Sequence, residues 1–329
     1  MKYVKIPGTD INISAVSYGP ALAGTLIDRD TSFRFMDKFY EMGGNVIDTA
    51  HVYANWLNMG MFMSERTIGQ WLDERKLHGK VFVFTKGAHM DLATMDISRV
   101  RPEEIFKDID ESREVLNEDC LSLYWLHRDD PQYPVESIVD TMDKAVKEGK
   151  IRYWAGSNWT TERFEKAVNY AESNNLAAPV GFQNMWSLAV SNPPVEGEGD
   201  HTLVLCTDDD AEYYRKKNST LFAYSSQAGG YFTKLDAYFS QADCDVVFEN
   251  VPGELKNQYY NRKNFDRFLT ARSIAKERNI SINDVVVAYM TSQPFTCVPI
   301  FSTYKDDQFD STMRAADLTL STEELERLF

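Results

Sequence analysis

The chain has 329 residues, 43% of them hydrophobic and 26% charged, the profile of a soluble globular protein that can bury a large core. Its net charge of −15 and pI near 4.8 exclude the basic face that nucleic-acid binding requires, so no such partner is expected. No run reaches the ~18 apolar residues needed to span a bilayer. The opening MKYVKIPGTD lacks the apolar core of a signal peptide, so a cytoplasmic location and no membrane partner are expected. Cys120, Cys206, Cys244 and Cys297 lie far apart without a C-x-x-C pair, which reads as idle thiols rather than a disulfide or metal framework.

In chain order, YVKIPGTDINISAV reads as a hairpin turning at Pro7-Gly8, placed to plug one end of the fold. Short strand-like runs then alternate with amphipathic ones. ISAVSYG (13–19) precedes DTSFRFMDKFYEMGG, with its Asp-Thr cap and closing Gly-Gly, and NVIDTA precedes SERTIGQWLDER. VFVFTKG (81–87) precedes RPEEIFKDIDESREVLNE, whose Ile105, Ile109 and Val115 keep to one helical stripe. LSLYWLH (121–127) precedes PVESIVDTMDKAVKEGK, and IRYWAGSN (151–158) precedes TTERFEKAVNYAESNN, capped by Thr160 or Thr161. VGFQNMWSL (180–188) precedes DDDAEYYRKKN, TLFAYSS (220–226) precedes the helical runs FDRFLTARSIAKERN and SINDVVVAYMTSQ, and CVPIFST (297–303) precedes QFDSTMRAAD and STEELERLF.

Eight strand-then-helix units imply parallel strands joined by right-handed crossovers, and eight is the number that closes a (β/α)8 TIM barrel. A doubly wound open sheet is the structural alternative, but no G-x-G-x-x-G follows the first strand. The reading is one α/β barrel domain over 1–329 with an N-terminal hairpin cap. Two connections, 191–208 and 229–264, exceed the ~2–6 residues of ordinary loops and read as lids or binding loops after strands 6 and 7.

In such a barrel the loops after the strands build the active site. Strand ends collect Asp48 with Tyr53, Lys86, His127, Ser157 with Asn158, Gln183, Tyr224, and Ser302 with Thr303. An ammonium at the end of VFVFTK is costly to desolvate unless a carboxylate is close, and Asp48 on the neighbouring strand is the partner expected. A tyrosine hydroxyl, with a reference pKa of about 10, is a poor acid near neutrality, but a nearby ammonium favours its phenolate form. Tyr53 beside Lys86 could then exchange a proton with a substrate oxygen, with His127 as a neutral donor polarising the same atom. His51 reads as structural.

On DTAHVY, FTKG, WLHRDDP, GKIRYWAGSNW, FQNMWSL and AYSSQAGGYF, the chain resembles the aldo-keto reductase family over essentially its whole length. The resemblance implies NAD(P)-dependent oxidoreductase chemistry and a catalytic tetrad of Asp48, Tyr53, Lys86 and His127. It implies that Ser157, Asn158 and Gln183 hold the nicotinamide carboxamide, that Tyr224 stacks on the ring, and that Ser225, Ser226, Gln227 and Gly229 run along the pyrophosphate. The nicotinamide would present a hydride to the carbonyl carbon as Tyr53 protonates the oxygen. Members preferring the phosphorylated cofactor carry basic residues after the eighth strand. Ser302, Thr303, Gln308 and Thr312 stand at the matching places, with Lys305 close by and Phe301 replacing the usual proline. The reading leans to NADPH over NADH.

The small-molecule substrate, a carbonyl or hydroxyl compound, would meet a mouth lined by Trp56, His89, Trp159 and Trp186. Met59, Met61 and Met63 of the second loop and Phe232 of the seventh would stand beside them. Arg128, Asp129, Asp130 and Asn55 add polar groups. Asp129 and Asp130 read first as capping or solvent-facing residues, and second as contacts for a sugar- or polyol-derived carbonyl. Two further readings compete: a non-catalytic, cofactor-binding redox-sensor subunit of the same fold, and an isomerase or lyase forming a Schiff base at Lys86.

Overall fold

In the computed structural model, residues 1–193, 200–242 and 244–329 are described. The hairpin comes first. Strands β1 (Tyr3–Lys5) and β2 (Asn12–Ser14) pair antiparallel, and Gly8 takes the turn at φ +76, a value that favours glycine. Then come β3 (Ser17–Tyr18), α1 (Arg29–Glu41), β4 (Val46–Asp48), α2 (Met63–Arg75), β5 (Phe82–Gly87), α3 (Pro102–Leu116), β6 (Leu121–Leu126), α4 (Val135–Lys147) and β7 (Ile151–Ser157). The chain continues through α5 (Thr161–Asn174), β8 (Phe182–Met185), α6 (Asp208–Lys217), β9 (Leu221–Tyr224), α7 (Tyr231–Gln241), α8 (Arg262–Arg278), α9 (Ile282–Thr291), β10 (Cys297–Phe301), α10 (Asp306–Ala315) and α11 (Thr322–Leu328). Strands β3 to β10 run parallel, each bonded to the next, and β10 closes on β3: a closed (β/α)8 barrel.

Side chains alternate across each strand. Ile47, Val83, Tyr124, Trp154 and Phe182 point outward and pack with the helices. Val46, Phe84, Leu123, Trp125, Ala155, Phe222 and Val298 point inward and form a separate cluster. Ile6, Ile11 and Ile13 of the hairpin region join that inner cluster, so the hairpin seals the end where the strands begin. Arg152 on β7 pairs with Asp10 at 2.5 Å, and the Tyr153 hydroxyl donates to the same carboxylate at 3.0 Å.

Three expectations need correction. The ISAVSYG run is split: Asn12–Ser14 belongs to the hairpin and only Ser17–Tyr18 enters the barrel. The cap of α1 is Asp28, which accepts from the Thr31 amide at 2.9 Å, rather than Asp30. The stretch 229–264 is not one long loop, because it contains α7, whose Tyr231, Leu235 and Phe239 are buried. Within 191–208, residues 194–199 lie outside the described residues. No helix among the described residues is long and apolar enough to cross a membrane.

Candidate active site

Inward alternation carries past the apolar cluster to the strands' C-terminal ends. Asp48 follows Val46, Lys86 follows Phe84 and His127 follows Trp125, each two residues on and therefore on the inner side. The register sets Asp48 opposite Phe84 and Lys86 opposite Trp125, so each group lies two residues further along its strand than the one before it, and all three face the inner side at the C-terminal rim. The Lys86 Nζ donates to Asp48 Oδ2 at 2.6 Å, to the Thr49 carbonyl at 2.7 Å and to the Tyr53 hydroxyl at 3.2 Å. Lys86 and Asp48 are both buried. Burial opposes the ammonium, but the charge of Asp48 and the contact with Tyr53 prevail and hold Lys86 above the ordinary lysine range. Burial likewise pushes the Asp48 carboxyl up against the pull of Lys86.

His127 stands across from this group, its ring 5.8 Å from that of Tyr53. Burial, reinforced by Arg128 and Lys86, holds it well below the ordinary histidine value, so the ring is neutral near pH 7. Its Nδ1 is buried without a partner among the described residues, which leaves Nε2 for a ligand. His89 packs edge-on against His127, with ring centroids 4.8 Å apart. Arg128 is held by Asp200 at 2.9 Å, by Thr202 at 2.8 Å and by the His127 carbonyl at 2.9 Å. Sequence reading did not anticipate Asp200, since nothing local links it to Arg128.

Ser157, Asn158 and Gln183 are buried side by side. Gln183 donates to Asp48 Oδ1 at 2.7 Å, Ser157 to the Gln183 carbonyl at 2.8 Å, and Asn158 to the His127 carbonyl at 3.2 Å. Asn158 Oδ1 accepts from the Tyr224 hydroxyl at 2.7 Å and from the Val204 amide at 3.2 Å. In this structure the polar ends of the three are therefore turned toward one another and toward the tetrad.

One cavity of about 1220 Å³ runs from Asp48 and Tyr53 outward past Tyr224. Its wall includes Ser225, Ser226, Gln227 and Gly229 on one side and Ser302, Thr303, Lys305, Gln308 and Thr312 on the other. Gln227 is braced by Asn283 at 2.9 Å and Thr312 at 3.1 Å, and Thr303 by Gln308 at 2.8 Å. Lys234, Arg272, Lys276, Ser281 and Asn283 also line it and were missed. The capping box at Ser281, with Asp284 as its third residue, was the available signal for that corner.

The turn at 225–230 is shaped for an anion. Ser225, Ala228, Gly229 and Gly230 all have positive φ, an ideal Cβ on Gly229 would meet nothing within 4 Å, and α7 has Gly230 as its N-cap, which offers its first turn no side-chain bond. A helix start without a side-chain cap suits a phosphate, so a dinucleotide fits this groove.

Two expected mouth residues are elsewhere. Trp159 is completely buried outside the barrel, edge-on to Trp154 at 6.1 Å and covered by Arg163. Trp186 points outward from the end of β8 and packs on Tyr289 and Phe295. The Asp129 carboxylate is only 8% exposed and is paired with Arg163 at 3.0 Å, which removes it from the set of substrate contacts. Asn55 is engaged as well, donating to the His51 carbonyl and accepting from the Phe62 amide. Trp56 stands at the rim, 47% exposed, with its ring 6.2 Å from Tyr53. His51 bonds Glu111 at 2.9 Å and stacks on Phe62, away from the tetrad.

A barrel with this group at its C-terminal rim defines an oxidoreductase of the aldo/keto type. Residues 15–328 match the model of the Aldo/keto reductase family, and the chain belongs to it: an NAD(P)-dependent oxidoreductase acting on alcohol and carbonyl groups. It is 26% identical over 308 residues to the aldo-keto reductase str7 of Strobilurus tenacellus, covering 92% of this chain and 81% of that one. It is 24% identical over 352 residues to an aryl-alcohol dehydrogenase [NADP(+)] of Phanerodontia chrysosporium, covering 98% and 83%. Among solved structures, the glycerol dehydrogenase AKR11B4 from Gluconobacter oxydans shares the fold with a TM-score of 0.73 at 23% identity, covering 99% of this chain and 93% of that one.

Proposed function

We propose that this enzyme reduces a small carbonyl compound reversibly with NAD(P)H, and that Tyr53 is the proton donor. One observation carries the reading: a buried ammonium, fixed by Asp48 at 2.6 Å, lies 3.2 Å from the Tyr53 hydroxyl. Lys86 stabilises the phenolate that remains after Tyr53 gives up its proton. Neutral His127 offers a single N–H to the same substrate oxygen and orients it. Bound reduced nicotinamide supplies the hydride to the carbonyl carbon. Ser157, Asn158 and Gln183 would hold the carboxamide of that ring, and Tyr224 its face. Asn158, whose Oδ1 now accepts from Tyr224, would have to release that bond to accept one from the carboxamide.

A Schiff base at Lys86 is disfavoured, because its nitrogen serves three acceptors and keeps its proton more tightly than an ordinary lysine. The cofactor reading leans to NADPH. Lys234, Arg272, Lys276 and Lys305 all face the groove, and the Phanerodontia relative is named for NADP(+).

Titration with NADPH and NADH, followed by turnover of a carbonyl panel in wild type and Tyr53→Phe, tests the proposal. Tyr53→Phe is expected to lose on the order of 10²- to 10⁴-fold in kcat while still binding the dinucleotide. Binding without turnover in the wild type would favour the redox-sensor reading. Absence of binding to either dinucleotide would overturn both.

A further inference from the structure

His89 is built into the fold more firmly than a rim residue needs. It follows β5 by two residues, past a turn in which Ala88 has φ +59. The Ala88 amide donates to Asp108 Oδ2 at 2.8 Å. Arg99 donates to the His89 carbonyl at 2.9 Å and to the same, fully buried Asp108 at 2.7 Å. The backbone at His89 is thus clamped from behind, and the ring is aimed by that clamp.

The protonation of the ring follows from its contacts. Its Nδ1 lies 2.7 Å from the Met90 carbonyl, and a carbonyl oxygen only accepts, so Nδ1 carries the hydrogen. Burial lowers the proton affinity of the ring, with Arg128 and Arg99 adding to the effect, so it is neutral near pH 7. Nε2 therefore presents a lone pair. It has no hydrogen-bond partner among the described residues and is not fully enclosed, unlike His127 Nδ1. The other polar side chains considered for the mouth are spoken for, Asp129 by Arg163 and Arg128 by Asp200 and Thr202. An acceptor is left open one ring away from His127, the imidazole proposed above to polarise the reacting oxygen.

We propose that His89 is a specificity-determining residue whose Nε2 accepts a hydrogen bond from a hydroxyl on the carbon next to the reacting carbonyl. The enzyme then selects 2-hydroxy aldehydes and ketones, and vicinal diols in the reverse direction. With ring centroids 4.8 Å apart, the two imidazoles would each meet one oxygen of the same small substrate. A substrate with a methyl group in place of the hydroxyl leaves the lone pair of this buried ring unpaired and is disfavoured. The hydroxyl makes and breaks no covalent bond. The carbonyl carbon gains the hydride, its oxygen takes the proton from Tyr53, and the dinucleotide is oxidised.

The proposal rests on the reductase reading, and the test separates the two. With the purified full-length protein and its preferred reduced dinucleotide, kcat/KM is measured for hydroxyacetone and for butanone, which have equal numbers of heavy atoms, and for 4-nitrobenzaldehyde. Wild type is expected to favour hydroxyacetone by about tenfold or more. His89→Leu is expected to bring that ratio close to unity, whereas His89→Gln, whose amide oxygen can accept, retains most of it. A wild-type ratio of one or less, a ratio unchanged in His89→Leu, or one lost as fully in His89→Gln overturns the role of His89. Failure to turn over all three carbonyl compounds overturns the reductase reading instead.

Discussion

Gln183 donates to Asp48 at 2.7 Å across 135 residues of sequence, so both oxygens of the buried carboxylate are engaged, Oδ1 by Gln183 and Oδ2 by Lys86. The side chain expected to meet the cofactor is also the one that completes the buried Asp48–Lys86 ion pair. Gln183→Leu removes a donor from a buried charge and is expected to cost about 1–3 kcal/mol of stability. Gln183→Glu sets a second carboxylate against Asp48 and is expected to cost more. Urea denaturation of the three proteins checks the order.

The ion pair itself gives a sharper contrast. Lys86→Met leaves Asp48 charged and unpaired in the core, with an expected loss of about 3–5 kcal/mol. The Asp48→Asn, Lys86→Met double variant is expected to lose less than the sum of the two single losses, because the second change removes the orphaned charge. A double-mutant cycle from equilibrium unfolding measures this directly.

Stability should also depend on pH. His127 and His89 are held below the ordinary histidine value of 6.5 in the folded chain. Below about pH 6.5 the unfolded chain takes up protons that these folded rings refuse, so stability falls as pH drops from about 7 toward 5.5. His78 works the other way: Glu118 and Asp73 overcome its partial burial and raise it, so its contribution is present below pH 6.5 and is lost as pH rises through its folded value. The expected outcome is a shallower slope in His89→Gln, His127→Gln and a steeper one in His78→Gln, read from denaturation midpoints at a series of pH values.

Trp159 and Trp56 should separate core from mouth. Trp159→Ala empties a fully buried site and is expected to cost about 3–5 kcal/mol, with KM for the carbonyl substrate little changed in the folded fraction. Trp56→Ala removes a half-exposed ring 6.2 Å from Tyr53 and is expected to raise that KM at nearly full stability. Thermal melts alongside steady-state kinetics distinguish the two cases.

The barrel was legible because alternation of short apolar runs with amphipathic ones is a local signal, and eight repeats leave few ways to close a sheet. The meeting of Asp48, Lys86, Tyr53 and His127 was legible for the same reason, since strand ends converge on one rim. Helix α7 was missed because Gly229-Gly230 reads as a loop, although Tyr231, Leu235 and Phe239 keep helical spacing. Trp159 and Trp186 were misplaced because sequence shows that a residue follows a strand but not which way it turns. Partners such as Asp200 for Arg128 depend on where a distant loop lands, and no local pattern encodes that.

The isoleucines at 6, 11 and 13 have a kinetic consequence. They stopper a barrel whose interior is already filled by Val46, Phe84, Leu123, Trp125, Phe222 and Val298, so the rim site has no rear exit. Whatever enters at the rim must leave by the rim, and the groove that fits the dinucleotide reaches Tyr53 at the bottom. Traffic through a single doorway predicts a sequence: a dinucleotide lying along the groove is expected to arrive before the carbonyl compound and to depart after its product.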